Sequence, residues 1–411
     1  MIFDVVVVGA GAAGLMAAIT AAGCGARTLL LERTGDGGRK ILISGGGRCN
    51  VLPSRFQPEL FVTDSSPNLM RRILRSWPLE QQKAFFRESL AMELALEEET
   101  GKLFPASNRA RDVRDGLVRA VESRGGVLRF GQTVQGLQPL NGVGWEITTR
   151  EGKSFRGRRI ILATGGLSVA PTGSDGMGLR MAREMGHVIH PTYPALTPLL
   201  QEPPEMAHLA GVSLRVRLRA PGHGKRGVVQ GGFLFTHRGF SGPTVLDLSH
   251  LAVRSSMLGV QGRRQALEVS WQGKGEEEWE AMLEPGVGRV LPLLKAHLPN
   301  RLAETLMEWT KVDAQRSLGQ LTRDERRRLT TALAAFPLPW TGDEGYKKAE
   351  VTGGGVSLAE VDPGTLESRR HPGLHLCGEM LDAFGPIGGH NFLWAWTTGR
   401  AAGHAAAQAA I

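Results

Sequence analysis

Only three of the 411 residues are cysteine and only two are tyrosine. The cysteines, Cys24, Cys49 and Cys377, show no CxxC spacing, which excludes a disulfide framework and a cysteine-rich zinc site. Unpaired thiols suit a reducing compartment, so a cytoplasmic protein is expected. Long apolar runs are missing too. Asp4, Arg27, Glu32 and Arg33 interrupt the apolar N-terminus, which therefore falls well short of the ~20 residues that cross a bilayer. It also lacks the basic stretch that opens a signal peptide, and no membrane partner is expected. The eleven histidines are scattered with no HExxH pattern, and no metal site is expected. Lysine is scarce, supplying ten of 49 basic residues. Those 49 exceed the 40 acids, and the resulting charge of +9 makes nucleic acid an admissible partner without requiring one. With 41% hydrophobic and 22% charged residues, the chain reads as globular, and its length predicts two or three domains.

Glycine is plentiful, 55 residues, and it is clustered. Phe3 to Val8 is an apolar β-branched run followed at once by Gly9, Gly11 and Gly14, then by a small-residue stretch of helical character and a second short strand ending at Glu32. Strand, glycine turn, helix, strand and terminal acid form the dinucleotide fingerprint. Gly9 would make the tight turn, Gly11 would let backbone approach a pyrophosphate, and Gly14 would pack helix on strand. Amides opening the helix would hold phosphate, and the Glu32 carboxylate would bind ribose hydroxyls. This motif alone does not choose between FAD and NAD.

A second cluster runs from Gly37 to Asn50 and combines Arg39, Lys40 and Arg48 with Gly45, Gly46 and Gly47, a composition suited to backbone approach to a flat or phosphorylated ligand. Asn68 to Glu99 reads as helical with a break at Trp77 and Pro78. Val127 to Arg129, Val134 to Leu137 and Trp145 to Thr149 read as a small strand meander. Arg159 to Ala163 returns to the sheet and ends in Thr164-Gly165-Gly166. Between Thr192 and Ser270 short strands alternate; the period of two in Ser213 to Arg219 puts Arg215, Arg217 and Arg219 on one face. Glu276 to Phe336 is mainly helical, with Thr322 and Glu325 spaced as a capping box. Leu374 to Cys377 is a strand, and Gly388-Gly389-His390-Asn391 opens a final helix. There Asp382 is placed to bind ribityl or ribose hydroxyls, and the amides after Gly389 to stabilise negative charge on a reduced flavin.

Taken together, GAGAAG (Gly9 to Gly14), GRKILISGGGRCN (Gly38 to Asn50), ATGG (Ala163 to Gly166), FTHRGFSGP (Phe235 to Pro243) and GEMLDAFGPIGGHN (Gly378 to Asn391) resemble the YhiN-like (BaiN-like) family of FAD-dependent oxidoreductases nearly end to end. The resemblance implies an α/β fold: a Rossmann-like, two-part FAD-binding domain of the GR2 type at 1–190 and 343–411, interrupted by a β-rich, barrel-like domain at 191–272 and a helical segment at 273–342. It implies FAD contacts at Gly9, Gly11, Ala12, Ala13 and Gly14, at Glu32 and Arg33, and at Arg39, Lys40, Ser44, Gly45, Gly46, Gly47, Arg48 and Asn50. Further contacts are implied at Ala163, Thr164 and Gly165, and at Gly378, Glu379, Asp382, Gly388, Gly389, His390 and Asn391. His390 departs from the tyrosine commoner in the family. Reactions linked to the family are reduction of uridine in ribosomal RNA, reduction of conjugated steroid double bonds and oxidation of small aminoketones. With one dinucleotide fingerprint taken by FAD, NAD(P)H is expected to dock transiently as reductant.

Three functions follow as expectations: reduction of an activated C=C bond, with uridine in ribosomal RNA as candidate; oxidation of a small amine or aminoketone, releasing peroxide; and an RNA-associated flavoprotein without turnover. Cys49 and His237 are the candidate proton donors.

Overall fold

The computed structural model describes residues 2–140, 144–257 and 264–411. The chain forms two compact units, one of residues 1–193 and 350–411, the other of 194–349. Residues 258–263, within the expected β-rich region, lie outside the described residues.

The first unit is built on a twisted sheet whose centre is β1 (Ile2–Val8), with Val5 to Val8 buried. β1 pairs in parallel with β2 (Thr28–Leu31) on one side and with the strand Ser154–Leu162 on the other. Val127–Arg129 extends the parallel array beyond β2, and Leu374–Leu376 extends it beyond Ser154–Leu162. Counted in sequence, the parallel strands lie in order 3-2-1-4-5, the doubly wound arrangement that places ligands at carboxyl ends of strands. Buried on both faces, these strands are continuous apolar runs such as Val5-Val6-Val7-Val8.

α1 (Ala12–Gly23) connects β1 to β2 and packs on the C-terminal helix His390–Ala410. Small residues permit a very close approach. A Cβ added at Gly399 would lie 2.2 Å from Ala13 O, and one at Gly403 would lie 2.3 Å from Ala17 O. The far end of the chain is thereby locked onto the helix that follows the first glycine turn.

Two local expectations are corrected. Leu94–Glu97, expected as helix, is a strand that pairs with Lys102–Pro105. Its run of Leu, Ala and Glu favours helix, but the turn at Gly101, with φ of 66°, closes a hairpin whose cross-strand pairs override that preference. Val127–Arg129, expected in the meander, joins β2 at the sheet edge instead. The antiparallel meander consists of Val134–Pro139, Trp145–Thr149 and the first half of Ser154–Leu162.

The second unit holds a seven-stranded antiparallel sheet centred on Ser213–Arg219 and Val228–Thr236. Phe233, Phe235, Phe240, Trp271 and Phe336 fill its inner face, and helices from Glu276 to Ala334 share the same core. Arg215, Arg217 and Arg219 point outward and are exposed, and Arg219 pairs with Glu268.

Candidate flavin site

Hydrophobic burial of β1 fixes the position at which the chain must turn, and Gly9 turns it with φ of 102°. A side chain there would meet Ala163 O at 2.6 Å; at Gly14 it would meet Gly9 O at 1.8 Å. Gly11, by contrast, has nothing within 4 Å of its Cβ direction. Gly11 is also the N-cap of α1, with no side-chain cap and no acid in the first turn. The opening amides of Ala12, Ala13 and Gly14 thus lack intrahelical acceptors and face open space beside Gly11, a cradle for an anion. Glu32 closes one side. Its Oε2 accepts from Ala10 N at 2.7 Å and its Oε1 accepts from Thr34 N at 2.7 Å and Thr34 Oγ1 at 2.8 Å. The neighbouring Arg33 pairs with Asp175 at 2.5 Å.

The second glycine cluster is ordered locally. Gly38 caps the short helix α2 (Arg39–Ile43), and Gly45, Gly46 and Gly47 all have positive φ, a sequence of conformations that only glycine adopts easily. Arg39 faces outward to Asp36 at 2.8 Å. Lys40 faces inward, donating to Glu379 at 2.6 Å and to Ser168 at 2.5 Å. Ser44 Oγ donates to Ile41 O at 2.7 Å. Arg48 bonds Glu97 at 3.0 Å and lies 4.1 Å above the Phe104 ring. Asn50, with its amide turned to satisfy both ends, donates to Leu52 O at 3.2 Å and accepts from Gly389 N at 3.0 Å.

From the end of the strand Ser154–Leu162, Ala163 and Thr164 lead into Gly165, whose φ is 73°, and Thr164 Oγ1 is buried without a partner among the described residues. In the C-terminal segment, Gly378, Gly388 and Gly389 take φ of 78°, 106° and 89°. The helix His390–Ala410 begins after Gly389 without a side-chain cap. Among the described residues His390 Nε2 is another buried atom without a partner, and burial pushes this imidazole down to about 4. Asn391 bonds both the amide and the carbonyl of Gly385 at 2.9 Å, so it holds the approach to the turn. Asp382 is 1% exposed. Its Oδ2 accepts from Asp64 N at 2.9 Å, Ser65 N at 2.7 Å and Ser65 Oγ at 2.7 Å, and burial raises its pKa despite those bonds. This carboxylate anchors the 63–65 loop. Glu379 is the acid that faces Lys40 and Ser168.

A side chain with no accessible surface cannot touch a substrate. Cys49 has none, adopts φ of 61°, and burial pushes its thiol up to about 12. His237 is exposed in the turn between Val228–Thr236 and Gly239–Ser241 of the second unit. His371 and His375 stand four residues apart, yet they run from a turn into a strand and bond Met185 O at 2.7 Å and Thr365 O at 2.9 Å, respectively. Among the described residues no three metal-ligating side chains converge.

The sequence reading missed Ser168 and Thr352, which donate to Glu379, and Glu350, whose carbonyl accepts from Ser168. No local motif marks them, because only the sheet topology brings residues 168, 350 and 379 together. An open phosphate cradle, an acid beyond the second strand, two unpartnered buried polar atoms and a second uncapped helix start make a donor set that fits FAD.

The protein is an FAD-dependent oxidoreductase. Residues 3–405 match the model described as HI0933-like protein Rossmann domain, and the chain belongs to that family. It is 31% identical over 401 residues, 96% of each chain, to the ribosomal RNA dihydrouridine synthase of Escherichia coli (strain K12). It is 30% identical over 412 residues, 98% of each chain, to the 3-dehydro-bile acid delta(4,6)-reductase of Clostridium scindens. Among solved structures, a 3-ketosteroid delta1-dehydrogenase from Sterolibacterium denitrificans shares the fold at a TM-score of 0.55 and 13% identity, over 99% of each chain. An open flavocytochrome c3 fumarate reductase shares it at a TM-score of 0.53 and 20% identity, over 99% of this chain and 78% of that one.

Proposed function

We propose that this flavoprotein is a reductase of activated carbon–carbon double bonds, with NAD(P)H as transient electron donor and uridine in ribosomal RNA as the substrate class. The observation that carries the reading is the coincidence of two relatives of near-full-length match, one a dihydrouridine synthase and the other a delta(4,6)-reductase. Their substrates are unlike, but both names describe hydrogen added across a C=C bond conjugated to a carbonyl. The net charge of +9 and the outward Arg215, Arg217 and Arg219 favour the polyanionic substrate over the steroid.

When bound, FAD supplies hydride transfer. The chain's own residues divide the remaining work. The amides opening α1, beside Gly11, would hold the pyrophosphate; Glu32 would offer its remaining lone pairs to ribose hydroxyls; Lys40, Glu379 and Thr164 would supply further polar contacts to the cofactor. The uncapped start of the His390–Ala410 helix would favour negative charge on a reduced flavin bound beside it. His390, kept neutral by burial, offers Nε2 as acceptor or donor without adding charge.

The test is incubation of the holoenzyme with NADPH or NADH and unmodified ribosomal RNA under nitrogen, followed by mass spectrometry of the nucleosides. A uridine that gains two hydrogens supports the reading. Unchanged RNA, with peroxide formed from small amines in air, replaces it with the oxidase.

A further inference from the structure

A groove of about 530 Å³ opens on the first unit, within the size range of small-ligand sites. Its walls are apolar: Phe56 from the loop after the Leu52–Pro53 strand, Leu74 from the helix Pro67–Arg75, and Pro78 and Leu79 from the chain that follows. Leu74 and Leu79 are buried members of the unit's core, so the groove has a rigid floor. Phe56 is half-buried and packs against the same core, which leaves part of its ring open to the groove.

Two arginines, Arg55 and Arg75, join this lining. Both are exposed, and among the described residues neither guanidinium has a hydrogen-bond or ion-pair partner. The acid on the groove, Glu80, is held by Lys83 at 2.8 Å. An aromatic and aliphatic slot that carries two uncommitted guanidinium forks is complementary to a planar base bearing phosphate. The groove also lies near the turn assigned to the flavin. A Cβ at Gly389 would lie 2.8 Å from Leu52 Cα, and Ser54, at the groove's edge, follows Leu52 by two residues, a span of at most about 7 Å. The groove therefore begins within about 10 Å of the uncapped start of the His390–Ala410 helix, less than the length of an extended nicotinamide dinucleotide.

We propose that this groove binds the adenosine end of NADPH, with the adenine against Phe56 and the 2′-phosphate on Arg55 and Arg75. The inference rests on the reductase reading and adds to it the site that holds the electron donor. The dinucleotide fingerprint at Gly9 to Gly14 is taken by FAD, so a second nucleotide must be bound outside it, and arginine forks capture phosphate without a glycine turn. A short groove with two cations suits one discrete nucleotide better than the many phosphate contacts of an RNA strand.

The test compares three flavin-loaded enzymes: wild type, the double variant Arg55→Ala with Arg75→Ala, and Phe56→Leu. Calorimetric titration with 2′,5′-ADP, 5′-AMP and adenosine gives the first readout, which needs no turnover. Wild type should bind them in that order of falling affinity, and the double variant should bind 2′,5′-ADP about 100-fold more weakly. Phe56→Leu should weaken all three by a similar factor. Anaerobic bleaching of the flavin gives the second readout. In the double variant the NADPH concentration for half-maximal rate should rise about as much, the preference for NADPH over NADH should vanish, and the limiting rate and flavin content should stay within about twofold of wild type. Equal affinity of wild type and the double variant for 2′,5′-ADP overturns the proposal. So does a wild type that ignores 2′,5′-ADP while the double variant loses affinity for ribosomal RNA transcribed in vitro, which gives the groove to RNA. If NADPH fails to bleach wild type, the reductase reading loses its donor, and the 2′,5′-ADP titration alone decides the groove.

Discussion

Gly11 and Gly14 belong to one short motif but answer to different forces. Open space beside Gly11 means that Gly11→Ala should leave stability within about 1 kcal/mol of wild type while flavin content falls sharply, because a methyl group intrudes on the cradle. Gly14→Ala drives a carbon into Gly9 O, and a melting curve should show a loss of several kcal/mol, as overpacking at a backbone contact implies. Equal effects of the two would contradict the assignment. Cys49, with no accessible surface, gives the opposite expectation for a residue that sequence alone made attractive. Cys49→Ala should keep turnover within about twofold and lose on the order of 1 kcal/mol of stability. A thiol beside glycines and an arginine looks reactive in sequence; its burial appears only in the folded chain. His390 carries a pH signature. Burial depresses its folded pKa from the ordinary 6.5 to about 4, so between those values the unfolded chain binds more protons and stability falls as pH falls. The expected loss is up to about 3 kcal/mol, from 1.36 kcal/mol per unit. Denaturant titrations of wild type and His390→Phe at pH 7 and pH 5 should show a smaller acid loss in the variant; equal losses would remove His390 from the account.

Elements were legible in proportion to how far their cause is local. β1, α1 and β2 follow from an apolar run, three glycines and an acid, all within the first 32 residues. The capping box is also local: Thr322 N donates to Glu325 Oε2 at 2.9 Å and Glu325 N donates to Thr322 Oγ1 at 3.2 Å. Thr322→Ala should cost about 1 kcal/mol by thermal melting. The hairpin at 94–105 was not legible, because helix-favouring residues were overruled by a partner strand. Nor was the close pairing of α1 with the C-terminal helix, which joins positions nearly 400 residues apart and rests on the absence of side chains at Gly399 and Gly403. Gly403→Leu should separate those helices and release flavin on mild warming, whereas Ala401→Leu, half-buried on the same helix, should be milder.

At the scale of the whole molecule, the two-part first unit was readable because glycine-rich chemistry recurs at both ends of the chain. The cluster of Ser168, Glu350, Thr352 and Glu379 was not, since three separate segments contribute to it. Net charge acts at this scale as well. If the substrate is RNA, its apparent affinity should fall with salt by roughly 10³-fold between about 50 and about 200 mM for about six phosphate contacts, while reduction by NADPH should change far less. A flat salt response would favour a small substrate. Double-mixing stopped flow reads directly where the electrons go. The holoenzyme is bleached anaerobically with NADPH, then mixed with unmodified ribosomal RNA or with air-saturated buffer. Rapid return of the yellow flavin with RNA and slow return with air is the predicted result; prompt reoxidation by air with peroxide formed, and none by RNA, would contradict it.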